Sequence, residues 1–262
     1  MSWQRWLAVA GCIVFLVGWM AHAQDSAPRT VHVFVALADN QSQGIVPVPA
    51  KLGNGEDAER NLYWGSAFGI RAFFTRSGDW VRLGCAQGPK NEILERCIFQ
   101  NRTAKVYLVA DGYRGREIRQ AILDFLDAAS GGGVETVNAG SPTARLAIRG
   151  GANLVAYVGH DGLMDFQLVR VPEKRNETRR DVVILACASK QFFAPAVRAS
   201  GAYPLLWTTG LMAPEAYTLK STLDGWIARE NGEQIRDRAA AAYDKYQRCG
   251  LRAAQRLFAT GW

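Results

Sequence analysis

The chain has 262 residues and a formal charge of +7 at pH 7. Its length suits one large domain or at most two small ones, and it is long enough to bury a substantial core. The densest basic run, residues 170–180, is interrupted by Glu173 and Glu177 and carries no aromatic side chains for base stacking. We therefore expect a solvated loop there and no nucleic-acid partner.

The first 23 residues have the layout of a secretory signal peptide. Arg5 precedes an apolar stretch over residues 6–20, and residues 21–23 read Ala-His-Ala, a small-x-small cleavage pattern. The stretch is shorter than the roughly 20 residues of a spanning helix, which makes a retained anchor the lesser alternative. Lipidation at Cys12 is a second alternative. We expect a secreted or periplasmic protein that meets the membrane only transiently, with one domain over residues 24–262.

Removal of residues 1–23 leaves four cysteines and two histidines. Pairing of cysteines is expected in an oxidising compartment. Cys85 and Cys97 form either a local disulfide or two separately buried thiols, and the state of Cys249 is open. Any histidine chemistry of the mature chain must use His32 or His160.

The first predicted element is a strand over residues 31–37, VHVFVAL, whose unbroken β-favouring run is typical of burial on both faces. Residues 51–57 predict a loop. Asn54 and Asp57 faintly resemble a calcium-binding loop, but the full spacing of oxygen ligands is missing, so we expect an ordinary loop. Residues 59–74 have apolar side chains near helical spacing. Residues 105–110 predict a second strand, ended by a turn at residues 111–112.

Residues 116–129 predict an amphipathic helix, which a run of three glycines ends. Residues 153–158 and 181–186 predict the third and fourth strands. Helices fill the tail, one starting near Pro214 and one over residues 233–247. This alternation of buried strands and helices predicts an α/β domain with a mainly parallel sheet.

Reactive side chains follow two successive predicted strands: His160 follows the third, and Cys187 follows the fourth. Ligands bind beyond the carboxyl ends of parallel strands, and neighbouring strands lie about 4.8 Å apart. A neutral imidazole accepts a thiol proton, and the thiolate is the nucleophile. We predict a catalytic pair, with the amides of Gly162 and Cys187 facing a developing oxyanion. Each residue alone is more often structural: a satisfied polar histidine, and a packed cysteine.

This arrangement resembles the caspase-like cysteine peptidases: caspases, metacaspases, legumains, gingipains and separases. In that family one buried strand leads into His-Gly, the next leads into Ala-Cys, and the two residues form the dyad. Ala186 and Cys187 match this pattern, but Asp161 stands between His160 and Gly162. The segment VADGYRGREIRQAILDFLDAA is also similar to the metacaspase-type strand, turn and helix that precede the histidine.

The resemblance covers about residues 30–225 and implies a caspase-like three-layer α/β/α sandwich. It also implies an exported cysteine peptidase that hydrolyses a peptide or protein substrate. Cys187 is then the nucleophile, and His160 is the base and later the acid for the leaving amine, with Asp161 as a candidate to orient the imidazole. We expect no metal and no organic cofactor, because the sequence lacks a zinc spacing and a phosphate-binding glycine loop.

Three acidic residues are predicted to bind substrate: Asp39 follows the first predicted strand, and Asp161 and Asp165 follow the third. Carboxylates on this rim would accept a basic side chain, as they do in some relatives. The alternatives are that Asp39 caps a turn and that Asp165 is merely solvated.

A different class of function stays open. The chain would then be a catalytically inactive caspase-like envelope protein that binds a peptide or protein partner in the same cleft, with Cys187 as packing. Acyl transfer by the same dyad is a third option.

Overall fold

A computed structural model describes residues 28–140 and 144–262. The predicted signal peptide, with its anchor and lipidation alternatives, lies outside the described residues. Among the residues that are described, no helix has the length and apolar character needed to cross a membrane.

The elements are bounded as follows. The strands are β1 (Arg29–Ala36), β2 (Trp80–Lys90), β3 (Ile93–Asn101), β4 (Val106–Tyr113), β5 (Glu135–Asn138), β6 (Arg145–Ile148), β7 (Leu154–Val158), β8 (Asp181–Leu185), β9 (Tyr203–Thr208) and β10 (Phe258–Ala259). The α-helices are α1 (Ile70–Arg76), α2 (Ile118–Ser130), α3 (Ser189–Ser200), α4 (Ala216–Ile227), α5 (Gly232–Gln247) and α6 (Leu251–Leu257).

One eight-stranded mixed sheet, in the order β10-β9-β8-β7-β1-β4-β3-β2, organises the fold. The five consecutive strands β9, β8, β7, β1 and β4 run parallel to one another. The pairs β10–β9, β4–β3 and β3–β2 are antiparallel. The predicted α/β class with a mainly parallel sheet is confirmed. Along the chain, the parallel strands go from β1 to β4 and then return to β7 on the other side of β1. This reversal creates a switch point between β1 and β7, where open α/β sheets bind ligands.

Helices cover both faces of this sheet. Side chains of β1 alternate between two buried clusters: Val31 and Val33 pack on one face with α1, α4, α5 and α6, and Phe34 packs on the other with α2 and α3. This layering is compatible with a three-layer sandwich.

The four predicted strands are present as β1, β4, β7 and β8. The helix predicted over residues 116–129 is present as a 3-10 turn, Gly115–Glu117, followed by α2. The helix predicted over residues 59–74 is largely wrong, because turns occupy that segment until α1 begins at Ile70.

The turn predicted at residues 111–112 is also wrong, because β4 continues to Tyr113. Asp111 is fully buried within the strand. Arg96 binds its two carboxylate oxygens at 2.6 and 2.8 Å, and Nε2 of His32 lies 3.1 Å from Oδ2. Burial raises the pKa of Asp111, but Arg96 and His32 outweigh burial and lower this pKa to about 2. A paired carboxylate thus stays inside the sheet.

His32 belongs to this buried network rather than to the edge of the sheet. It is fully buried, and its Nδ1 accepts the Arg149 amide at 3.2 Å. Burial lowers the pKa of His32, more than Asp111 raises it. The neutral ring is therefore occupied at both nitrogens, which leaves His160 as the candidate for chemistry.

Cys85 and Cys97 form a disulfide between β2 and β3, at positions that face each other in the ladder. The first of the two alternatives is therefore confirmed, and the bridge joins the two strands of a hairpin. Cys187 and Cys249 are free thiols.

Candidate functional site

The strands β7 and β8 bring His160 and Cys187 to the same edge of the sheet. Their parallel ladder ends with Val158 opposite Leu185, so each candidate lies two residues beyond the last pair. The Gly159 amide donates to the Leu185 carbonyl at 3.2 Å, which extends the pairing past the strands. The two loops are therefore neighbours, as the sequence predicted.

Two contacts with neighbouring strands hold the backbone of the loop that carries His160. Gly159 has a φ of 152°, and a Cβ there would lie 2.9 Å from the Ala36 carbonyl oxygen, so only glycine fits this close passage by β1. The hydroxyl of Tyr157 donates to the His160 carbonyl at 2.7 Å. These two contacts hold the residue that carries the imidazole.

The His160 ring binds an acidic side chain and not the thiol. Its Nε2 lies 2.7 Å from Oδ2 of Asp165, the residue that follows the 3-10 turn Gly162–Met164. The same oxygen accepts the Gly44 amide at 3.0 Å, from the loop after β1. Among the described residues, His160 makes no hydrogen bond with Cys187. The predicted substrate contact Asp165 is thus placed against the candidate base.

Cys187 sits in the sharp turn between β8 and α3. The next residue, Ala188, has φ 48° and ψ 32°, a left-handed conformation that is uncommon outside glycine. The turn presents the half-buried thiol toward the loop after β9. There Sγ lies 3.4 Å from the Met212 amide nitrogen and 3.6 Å from the Met212 carbonyl oxygen. A backbone segment therefore covers the sulfur.

The two amides predicted to face an oxyanion differ in their engagement. The Gly162 amide donates to the His160 carbonyl at 3.1 Å, which closes a tight turn around Asp161. The Cys187 amide makes no hydrogen bond with a described residue. The Cys187 amide is the more available donor in this conformation, and the oxyanion role of Gly162 stays a prediction.

Asp161 is the central residue of the tight turn that the hydrogen bond between Gly162 and His160 closes. It is fully buried, and Oδ1 accepts the Leu163 amide at 3.0 Å and caps the 3-10 turn. Its Oδ2 has no hydrogen-bond partner among the described residues. Burial, and then the charge of Asp165, raise the pKa of Asp161 to about 7 against the effect of the Leu163 amide. The carboxylate that meets the imidazole is therefore Asp165, not Asp161.

Asp39 caps a turn at the end of β1. Its Oδ1 accepts the Gln41 amide at 2.9 Å, and its Oδ2 accepts the Ser42 hydroxyl at 2.6 Å. It also lines a cavity of about 610 Å³ that is formed by the long loop after β1 and by the segment just after β4. Arg116 and Glu56 face this cavity and pair with each other at 2.6 Å. The substrate-binding roles of Asp39, Asp161 and Asp165 stay predictions.

One cluster among the described residues has the spacing of metal ligands: Cys85, Glu95 and Cys97. Both sulfurs are consumed by the disulfide, and Oε2 of Glu95 accepts the Trp64 indole N–H at 2.6 Å. While the disulfide is intact, the cluster has no thiolate to offer an ion.

Sequence reasoning missed Gly44, Tyr157 and Met212. Gly44 and Met212 act through backbone atoms, so their side-chain types carry no signal. Tyr157 stands inside a buried apolar strand, where a tyrosine reads as packing.

No family model, curated protein or solved structure matches this chain. Its function is therefore argued from its own geometry.

The raised pKa of Asp161 gives a stability prediction. The pKa of Asp161 is about 7 in the folded state and has the ordinary aspartate value of 3.8 in the unfolded state, so the folded state binds the proton more tightly and stability falls as pH rises between the two values. Asp161→Asn keeps an oxygen for the Leu163 amide and removes the charge. We expect the free energy of unfolding of Asp161→Asn to exceed that of the wild type at pH 8 by on the order of 4 kcal/mol, the equivalent of the difference between the two pKa values, and to differ little at pH 4. Urea titrations at the two pH values measure this difference.

The exposed Asp237→Asn is the matched control, and it should leave the wild-type pH profile unchanged. An Asp161→Asn gain of equal size at both pH values would contradict the prediction.

Proposed function

We propose that this chain is a cysteine peptidase on a caspase-like α/β/α scaffold, with His160 and Cys187 as its dyad. The observation that carries the proposal is the register of β7 and β8, which sets the two residues at equivalent positions beyond adjacent parallel strands. A second observation agrees with it. Cys187 is a free thiol in a chain that pairs two other cysteines.

In the proposed reaction, His160 acts first as a base and then as an acid in each of two steps, acylation and hydrolysis of the thioester. His160 takes the thiol proton from Cys187, and the thiolate sulfur attacks the carbonyl carbon of the scissile peptide. The tetrahedral intermediate collapses as the C–N bond breaks, and the imidazolium gives its proton to the leaving amine. Water, deprotonated by His160, then cleaves the thioester and regenerates the thiol.

Two features of the Cys187 turn suit this chemistry. The free Cys187 amide is a donor for the oxyanion of the attacked carbonyl, close to the bond that forms. The Met212 amide nitrogen lies 3.4 Å from Sγ and is a backbone donor to the sulfur. The Met212 carbonyl oxygen lies 3.6 Å from the sulfur and is an acceptor for the thiol hydrogen.

The alternative, a catalytically inactive binding protein on the same scaffold, has an observation in its favour. His160 makes no hydrogen bond with Cys187 among the described residues, and the sulfur lies under the Met212 segment. Contacts of catalytic groups often tighten only when substrate binds, so this geometry is compatible with both functions. Only the peptidase would hydrolyse a peptide repeatedly, so a turnover assay distinguishes the two functions.

Turnover is tested with a fluorogenic peptide library. We expect hydrolysis by the wild type, and a loss of at least about a hundredfold in Cys187→Ala and in His160→Ala, because the nucleophile and the general base each act in bond cleavage. Cys249→Ala removes the second of the two free thiols among the described residues, which is exposed, and should keep full activity. Equal hydrolysis by wild type and Cys187→Ala, or none by any variant, would favour the binding protein.

The same library tests the preference for a basic side chain before the cleaved bond. Asp39 lines the cavity between the loops after β1 and β4, and the Asp165 side chain is 37% exposed on the rim. We expect Arg and Lys peptides to be cleaved about tenfold faster than alanine peptides, a ratio that corresponds to about 1.4 kcal/mol of differential transition-state binding. Asp39→Asn should reduce that ratio. Equal rates for basic and neutral peptides would overturn the preference.

A further inference from the structure

Asp165 connects the candidate base to the loop after β1. Its Oδ2 lies 2.7 Å from Nε2 of His160 and accepts the Gly44 amide at 3.0 Å. The imidazole is almost fully buried, at 7% side-chain exposure, whereas the carboxylate is partly solvated. One carboxylate oxygen therefore couples two loops that come from different strands of the switch point.

This contact fixes the tautomer of His160. A carboxylate only accepts hydrogen bonds, so a neutral imidazole must carry its proton on Nε2 in order to make this one. The proton-free nitrogen is then Nδ1, which hydrogen-bonds no described residue. The nitrogen that takes the thiol proton in the proposed mechanism is the one that Asp165 leaves bare.

We propose that Asp165 is a positioning residue that holds His160 with Nδ1 as its free base, and that Gly44 holds Asp165 in turn. The proposal rests on the proposed peptidase function for its catalytic meaning, but not for its structural content. It assigns Asp165 a role that the sequence resemblance did not supply, and it places Asp165 rather than Asp161 against the imidazole.

Gly44 gives an independent way to displace the carboxylate. A Cβ at this position would lie 2.4 Å from Oδ1 of Asp165 and 2.9 Å from its Cγ, and Gly44 has no positive φ. Alanine is therefore allowed by the backbone but collides with the carboxylate, which is the free end of an exposed side chain. Gly44→Ala should push Asp165 away from His160 without touching the imidazole.

The first test is the ¹⁵N spectrum of the full-length protein labelled at histidine, at a pH where the rings are neutral. His160 should give an Nε2–H tautomer, assigned by its loss in His160→Ala. Asp165→Ala and Gly44→Ala should both give a tautomer mixture, whereas Asp165→Asn should keep Nε2–H because its amide oxygen still accepts. His32, whose two nitrogens are held by Asp111 and the Arg149 amide, reports in every variant that the fold is intact.

The second test is a double-mutant cycle on peptide hydrolysis. We expect Asp165→Ala and Gly44→Ala each to lower kcat by about tenfold, a part of what a general base contributes, with little change in KM. The double variant should be no slower than Asp165→Ala alone, because the added methyl then has no carboxylate to displace. Gly84→Ala is the control, since a Cβ there meets nothing within 4 Å.

The outcomes separate this inference from the proposed function. An unchanged His160 tautomer in Asp165→Ala overturns the positioning role, whether or not the protein hydrolyses peptides. Additive losses in the double variant also overturn it, because Gly44 would then act by another route. A tautomer that depends on Asp165 in a protein without hydrolytic activity supports the positioning contact and refutes the peptidase.

Discussion

The parallel pairing of β7 with β8 is the constraint on which the rest of the site depends. Every residue of β7, and every residue of β8 after Asp181, is buried, with alternate side chains packed into the clusters on the two faces of the sheet. A slip of one residue would exchange the two faces of a strand, so packing fixes the register firmly. The positions of His160 and Cys187 are therefore set by the core and not by the loops that carry them.

Beyond the strand ends, hydrogen bonds to the backbone set the detail. Tyr157 holds the His160 carbonyl, and Met212 contacts the thiol through its amide and its carbonyl. Asp165 joins the imidazole to the Gly44 amide across the switch point. The imidazole is thus tied to the loop after β1, and the thiol to the loop after β9. Substrate binding at this edge would act on both loops, which lie on opposite sides of the dyad.

The sequence predicted the parts of the fold that packing dictates. Unbroken apolar runs revealed β1, β4, β7 and β8, because strands buried on both faces need them. The hairpin of β2 and β3 was not predicted, because most of β2 is exposed and the strand contains glycines and a proline. Asp111 looked like a turn residue because the sequence does not show Arg96 beside it.

The sequence predicted the two reactive residues of the site and their place on the sheet, but not the residues that contact them. Its two reactive residues follow strands, so the topology predicted their edge of the sheet and their neighbouring loops. Their partners come from loops distant in sequence, and Gly44 and Met212 act through backbone atoms that every residue possesses. The inserted Asp161 was visible in the sequence, but its burial and its unpaired oxygen depend on how the turn closes.

The most direct test of the dyad is the rate of iodoacetamide alkylation at Cys187 against pH, read at its own peptide by mass spectrometry. The exposed thiol of Cys249 serves as the internal comparison. If His160 takes the thiol proton, Cys187 reacts rapidly well below pH 8 despite its partial burial, and His160→Ala abolishes that reactivity. Slow alkylation of Cys187 in both proteins, with Cys249 reacting faster, would mean that the cysteine is structural and would contradict the account.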